Sequence, residues 1–81
     1  MINTMIKQFL NRKVVHQETY SNYIIIVTQR EPVLTGIYND YYTTYICNER
    51  FDVLRRYTHN AFATVEYLVE NAKIEINPFV I

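Results

Sequence analysis

The sequence has few of the residues that form loops, cross-links or special sites. It contains one glycine, two prolines, one cysteine and no tryptophan in 81 residues. So little glycine and proline excludes a collagen-like chain, a flexible linker and a glycine-rich phosphate loop. The single cysteine, Cys47, excludes an intrachain disulfide, and no cysteine and histidine cluster offers the ligands of a structural zinc site. We therefore expect no metal and no cofactor.

An excess of charge and a long apolar run are also missing. Eight Lys plus Arg balance eight Asp plus Glu, so the chain lacks the basic excess typical of a nucleic-acid clamp. The longest apolar run, Tyr23–Val27, is far shorter than the roughly 18 residues that a membrane span needs. The first residues lack the apolar stretch of a signal peptide. We expect a cytoplasmic protein, in the host cell if a virus encodes it, with no membrane contact.

What is present is typical of a small packed domain. Apolar residues make up 49% of the chain, aromatic residues 15% and charged residues 20%, and the length fits a single domain over residues 1–81. A core of this size gives little free energy beyond the entropy cost of ordering the chain. We therefore expect a homo-oligomer, most simply a homodimer, docked through the apolar C-terminal residues Phe79, Val80 and Ile81.

Several segments carry the pattern of β-strands. Residues Tyr23–Thr28 are largely β-branched or aromatic at both alternating positions, which predicts a central strand with both faces covered. Residues Val14–Tyr20 form its hairpin partner across Ser21–Asn22, or else an extended loop. Asn39–Asp40 suits a hairpin turn, and Tyr41–Cys47 is rich in aromatic and β-branched residues, which indicates another strand.

The second half of the sequence adds a helix. Residues 51–58 fit a strand by alternation and also fit a helix by spacing, so both remain open. Asn60 is a suitable N-cap for a helix over residues 61–72, and Lys73–Asn77 alternates like an edge strand. An apolar stripe over residues 2–10 predicts a short N-terminal helix. The expected fold is α+β: an antiparallel sheet of three or four strands, with the 61–72 helix packed on one face and the N-terminal helix beside it.

No motif in the sequence assembles catalytic groups. Cys47 lies in a predicted strand, where it is a small buried hydrophobic residue, and neither His16 nor His59 is placed beside it by local spacing. No segment supplies a nucleophile, a base and an oxyanion donor together. We therefore predict no catalytic residues and no enzymatic activity.

The chain has an excess of tyrosine, eight residues in all. A core of this size cannot bury them all, because each buried hydroxyl needs a hydrogen-bond partner, and tyrosine is enriched at protein interfaces. Tyrosine is also a common strand residue, so the side chains could simply fill the sheet. The interface interpretation assigns the partner-binding surface to residues around the predicted turn, which are Tyr38, Tyr41, Tyr42 and Tyr45.

These observations favour one function and leave two alternatives. The favoured function is a small non-enzymatic binding protein that regulates or inhibits a larger protein partner, of the kind that viruses and mobile elements encode. The first alternative is a nucleic-acid-binding module in which Arg50, Arg55 and Arg56 contact phosphates while neighbouring aromatic rings stack on bases. The second is a small-ligand binder at a dimer interface.

Overall fold

The first two strands form a hairpin around a two-residue turn. The structure, a computed structural model, describes residues 12–30 and 40–79. Strand β1 spans Arg12–Tyr20 and strand β2 spans Tyr23–Arg30. Between them Ser21 and Asn22 have positive φ values of 49° and 69°, the conformation that matches a tight turn to the twist of the two strands. The hairpin predicted across these residues is confirmed.

Two further strands complete the sheet. Strand β3 spans Tyr42–Cys47 and strand β4 spans Val53–His59. The four strands lie in the order β1-β2-β3-β4, and every neighbouring pair is antiparallel. The strand predicted within residues 51–58 is thus confirmed, and the helical alternative for that segment is wrong. The predicted α+β class is confirmed by this sheet together with the helix that follows it.

The α-helix of the described residues lies later in the chain than predicted. Helix α1 spans Val65–Ile76, and a turn of 3₁₀ helix, Asn77–Phe79, continues it. Its N-cap is Thr64, whose hydroxyl accepts a hydrogen bond from the Tyr67 amide at 3.1 Å. Asn60 instead caps a local turn, because its side-chain oxygen accepts from the Phe62 amide at 2.9 Å.

The edge strand predicted over Lys73–Asn77 is wrong, since α1 continues through most of that segment. Leu68, Ala72 and Ile76 follow one another at intervals of four residues, and each is at most 2% exposed. This spacing keeps them on one side of a helix, so burial of Ile76 against the sheet favours the helix over the local alternation.

The core lies on both faces of the sheet. On the first face, which α1 covers, Ile25 and Ile46 pack against Ala72 and Ile76, while Val27 packs against a separate group containing Leu68. The second face carries a separate apolar cluster, formed by Ile24, Ile26, Tyr45 and Cys47 with Phe51 and Val53 against it. Residues 24–28 of β2 are each at most 8% exposed. The prediction of a central strand with both faces covered is therefore confirmed.

Several predicted features lie outside the described residues: the N-terminal helix over residues 2–10, Tyr38 of the binding surface, the Asn39 half of the predicted Asn39–Asp40 turn, and Val80 and Ile81 of the dimer contact. In residues 12–30 and 40–79, none of the helices has the length and apolar character needed to cross a membrane.

Candidate functional site

A groove runs between α1 and β4 on the first face of the sheet. No Cα atom of β4 lies within 8 Å of a Cα atom of α1, whereas α1 approaches β1, β2 and β3. A helix is about 10 Å wide, and four strands at about 4.8 Å spacing make a broader surface. Among the described elements, α1 therefore leaves one edge of the sheet uncovered, and that edge is β4.

Polar contacts hold α1 towards β1. Lys73 Nζ lies 3.3 Å from Glu18 Oε2, and Glu18 Oε1 lies 2.7 Å from His16 Nε2. The hydrogen bond with His16, then the contact with Lys73, lowers the pKa of Glu18 although partial burial opposes this. Next to this group, the Tyr20 hydroxyl donates to Asn77 Oδ1 at 2.6 Å. These contacts bind the helix to the far edge of the sheet and keep the groove beside β4 open.

The lower lobe of the groove is mainly apolar and has a volume of about 250 Å³. A β-bulge shapes it: Ile46 pairs with Arg55 and Cys47 pairs with Val53, so Leu54 is an extra residue in β4. Leu54 and Arg55 consequently both line the groove, and Leu54 is 46% exposed. Among the described residues, the lining consists of Tyr23, Ile46, Leu54, Arg55, Glu75, Ile76 and Phe79.

The upper lobe, of about 240 Å³, has more polar groups around an apolar wall. His59 comes from the end of β4, and burial lowers its pKa, so its ring is neutral at pH 7 with one donor and one acceptor nitrogen. Ile74 stands on the α1 side and is 63% exposed. In the part of the chain that the structure describes, this lobe is lined by Thr44, Tyr57, His59, Leu68, Asn71, Ala72, Ile74 and Glu75.

One polar bridge crosses the groove between the two lobes. The Tyr57 side chain on β4 and the Glu75 carboxylate on α1 both line the groove and interact electrostatically across it. Burial first, and then this carboxylate, raises the pKa of Tyr57, while nearby Arg55 lowers it. The tyrosine therefore stays protonated at neutral pH. This polar pair brings α1 and β4 into electrostatic contact across the groove.

The floor of the upper lobe holds a buried hydroxyl without a hydrogen-bond partner. Thr44 is 2% exposed, and its Oγ1 has no partner. Leaving such a group unpaired costs about 1 to 3 kcal/mol. We predict that Thr44→Val, which has nearly the same shape, raises the free energy of unfolding by about 1 kcal/mol in urea titrations. A loss of stability would contradict the prediction and show that the hydroxyl is satisfied in solution.

The structure separates the tyrosines of the predicted binding surface. Tyr45 is 6% exposed and belongs to the apolar cluster of the second face. Tyr42 packs against the core on the first face, and its ring lies edge-on to Tyr41 with centroids 4.9 Å apart. The Tyr41 hydroxyl accepts from Gln29 Nε2 at 2.6 Å. Tyr38 lies outside the described residues. The described three are therefore buried or half-buried, and their contact with a partner stays a prediction.

The three arginines of the alternative site are not brought together on one surface. Arg50 lies in the turn before β4, is 86% exposed and stands 3.7 Å from Asp52. Arg55 lines the groove on the first face, whereas Arg56 pairs with Tyr45 and thus lies on the second face. A phosphate-binding cluster would need them on the same side. The nucleic-acid interpretation stays an untested prediction that this geometry does not favour.

The sole thiol and the groove histidine lie on opposite faces of the sheet. Cys47 is 1% exposed on the second face, and burial raises its pKa to about 11, so the thiolate that would act as a nucleophile is disfavoured. His59 lines the groove on the first face. In the described ranges, no group of three or more His, Cys, Asp or Glu residues could hold a metal ion.

Sequence reasoning missed most of the residues that form the groove. Leu54 and Ile74 are exposed apolar side chains there that the sequence does not predict as site residues, whereas Phe79 is expected at a dimer contact and Arg55 in a nucleic-acid site. One residue in the sequence does indicate the groove. When α1 is extended to residue 76, Ile74 is an apolar residue that lies between Ala72 and Ile76 but not on their buried stripe. An apolar residue off the buried stripe of a helix indicates a second contact surface.

Comparison with protein-family models, with curated proteins and with solved structures gave no match for this chain.

Proposed function

We propose that the chain is a small non-enzymatic binding protein that regulates or inhibits a larger protein partner, and that the partner docks in the α1–β4 groove. The main support is the position of the exposed apolar side chains. Of the six large ones in the described residues, Leu54, Ile74 and Phe79 line the groove. Exposed apolar side chains that lie together around a concavity are typical of a protein-binding surface.

Tyrosine contributes to this surface, as the composition suggests, but through other residues than those predicted. Tyr23 and Tyr57 line the two lobes. Tyr67 is 60% exposed and precedes Ile74 by two helical turns, which places both on the same side of α1. Tyrosine gives a large contact area with few torsions to freeze, and it is common among residues that dominate binding energy. The proposed surface is therefore still rich in tyrosine.

The chemistry of the groove supports binding rather than catalysis. Its polar groups in the described residues are a neutral imidazole, a tyrosine beside a carboxylate, an amide, a threonine hydroxyl and a guanidinium, from His59, Tyr57, Glu75, Asn71, Thr44 and Arg55. The thiol of Cys47 lies on the opposite face of the sheet, so a Cys47–His59 nucleophile pair is not assembled. A buried thiol with a raised pKa suits a protein that acts in the reducing interior of a cell, which we include in the proposal.

The homodimer predicted from the sequence also belongs to this proposal. Phe79, one of the residues expected to dock on a second copy, is 63% exposed at the end of the lower lobe. Light scattering at micromolar concentration measures the assembly directly. A mass of 9.8 kDa in solution would contradict the homodimer and leave the groove open to a different protein.

The proposed function is tested with peptides selected from a random display library on the immobilised wild-type protein. We predict that Ile74→Glu weakens binding of the selected peptides by at least about tenfold, because it places a carboxylate on the groove wall. The matched control is Val14→Glu, which makes the same kind of change at a 42% exposed apolar residue of β1. It should bind like the wild type.

Urea titrations of both variants establish that each is folded before binding is compared. The proposal fails if no peptides are enriched, or if the enriched peptides bind Ile74→Glu as tightly as they bind the wild-type protein.

A further inference from the structure

Strand β4 has an open edge beside the groove. It pairs with β3 on one side, and no strand in the described residues pairs with its other side. The outer edge of such a strand presents unpaired N–H and C=O groups in regular order. An extended peptide satisfies them by adding a strand to the sheet, a common mode of peptide recognition. The apolar groove and the open edge therefore belong to one docking surface, the β4 edge surface.

The charge of β4 argues against a second copy of the same strand at this edge. Over its 7 residues, VLRRYTH, β4 carries Arg55 and Arg56 and no carboxylate. Antiparallel pairing of two copies about the centre of the strand places Arg56 opposite the same residue of the other copy. Like charges directly opposite each other destabilise a sheet. A partner strand of opposite charge is favoured instead.

The two faces of the sheet favour different side chains on a strand added beside β4. A strand added beside β4 points alternate residues to the first and second faces. On the first face these residues meet Leu54 and, across the groove, Ile74, both exposed and apolar. The added strand lies about 4.8 Å beyond β4, so its side chains have to extend across β4 to enter the groove. They therefore need to be large, such as leucine or phenylalanine.

On the second face the added residues meet Arg56. This guanidinium has no ion-pair partner within residues 12–30 and 40–79, whereas Arg55 on the first face lies with Tyr57 and Glu75. A carboxylate is the side chain that complements an unpaired arginine across two strands.

We infer that the partner supplies an extended segment that pairs with the outer edge of β4 and alternates large apolar residues with acidic ones. This rests on the proposed function above and specifies the partner's chemistry. The apolar residues enter the groove on the first face, and an acidic residue pairs with Arg56 on the second face.

The test uses a peptide of the same length as β4, 7 residues, that alternates leucine and aspartate. A second peptide replaces each aspartate with lysine. Fluorescence anisotropy with the full chain should show the aspartate peptide bound about tenfold more tightly. Arg56→Glu should reverse this preference, while Lys13→Glu, the same charge change at an exposed residue of the opposite edge strand, should keep it.

Backbone pairing is tested with N-methylated peptides. In a strand, the amides of the leucine residues point to one edge and those of the aspartate residues to the other. N-methylation of one set should abolish binding, and N-methylation of the other set should leave it nearly unchanged. Equal effects of both sets would overturn the inference, because they would show a docked segment that does not pair as a strand.

The remaining outcomes separate the inference from the proposed function. If the aspartate peptide fails to bind, or Arg56→Glu leaves the preference unchanged, the inference is wrong. The proposed function still stands if the peptides selected from the library bind Ile74→Glu more weakly than they bind the wild-type protein. If the peptides fail and an equimolar mixture of Arg56→Glu with the wild-type chain forms more dimer in light scattering than either chain alone, the occupant of the edge is a second copy, because the mixture places opposite charges across the pair, and this also overturns the inference.

Discussion

Leu68→Ala is expected to lower the free energy of unfolding by about 2 to 5 kcal/mol, a large share of the total for a domain of this size. Leu68 is 1% exposed and packs with Val27 and Val69 between α1 and the sheet. Truncation removes its apolar contacts and leaves a cavity that rigid strands cannot fill. Urea or thermal unfolding followed by circular dichroism measures the loss.

The control for Leu68 is Phe62→Ala. The periodicity of the sequence puts Phe62 on the same apolar stripe as Leu68 and predicts a similar loss, but Phe62 precedes α1 and is 91% exposed. Its truncation should change the free energy of unfolding by less than about 0.5 kcal/mol. Comparable losses in the two variants would show that the segment before Thr64 packs on the sheet in solution.

The strands could be predicted because their residues carry the information locally. Residues 24–28 have apolar or β-branched side chains on both faces, and only a central strand buries both. The hairpin before them is fixed by two residues, Ser21 and Asn22, at the one point where both alternating segments end. In β4 the local pattern fits both a strand and a helix, and pairing with β3, together with Val53 packed on the second-face cluster, selects the strand.

The helix boundaries could not be predicted because two segments offer equivalent local signals. Asn60 and Thr64 are both good N-caps, and both cap an amide, at 2.9 Å and 3.1 Å. The sheet decides between them: α1 must bury Leu68, Ala72 and Ile76 together. That choice depends on residues 25, 27 and 46, which are distant in sequence. Tertiary packing overrides local preference at such positions.

The candidate site depends on where α1 lies across the sheet, which no local pattern encodes. The contacts of Lys73 with Glu18 and of Asn77 with Tyr20 join α1 to β1 over long sequence distances. Because these contacts hold α1 near β1, a space remains beside β4, and that space is the groove. Composition correctly indicates many tyrosines, but the face on which each one lies follows from strand register, as Tyr45 on the second face shows.

A half-buried arginine connects three segments at the end of the sheet that lies away from the C-terminal end of α1. Arg12 begins β1, and its side chain is 12% exposed. Its Nε donates to Thr28 Oγ1 at 2.7 Å, and its Nη2 donates to the Asp40 carbonyl at 2.8 Å. The hydrogen bond from Arg30, with help from Arg12, lowers the pKa of Asp40 although partial burial opposes this. Stability from this carboxylate is therefore present at neutral pH and lost as pH falls below its ordinary value of 3.8.

Arg12→Met is therefore expected to lower the free energy of unfolding by about 2 to 4 kcal/mol at pH 7, because it keeps the apolar stem but leaves buried acceptors without their donor. Urea titrations of the variant and the wild type at pH 7 measure this change in the free energy of unfolding. The control is Arg50→Met, where the same change at an 86% exposed residue, 3.7 Å from Asp52, should cost less than about 0.5 kcal/mol. Equal small losses in both variants would mean that water replaces the Arg12 guanidinium at Thr28 and Asp40, so that β1, β2 and the start of β3 hold together without it.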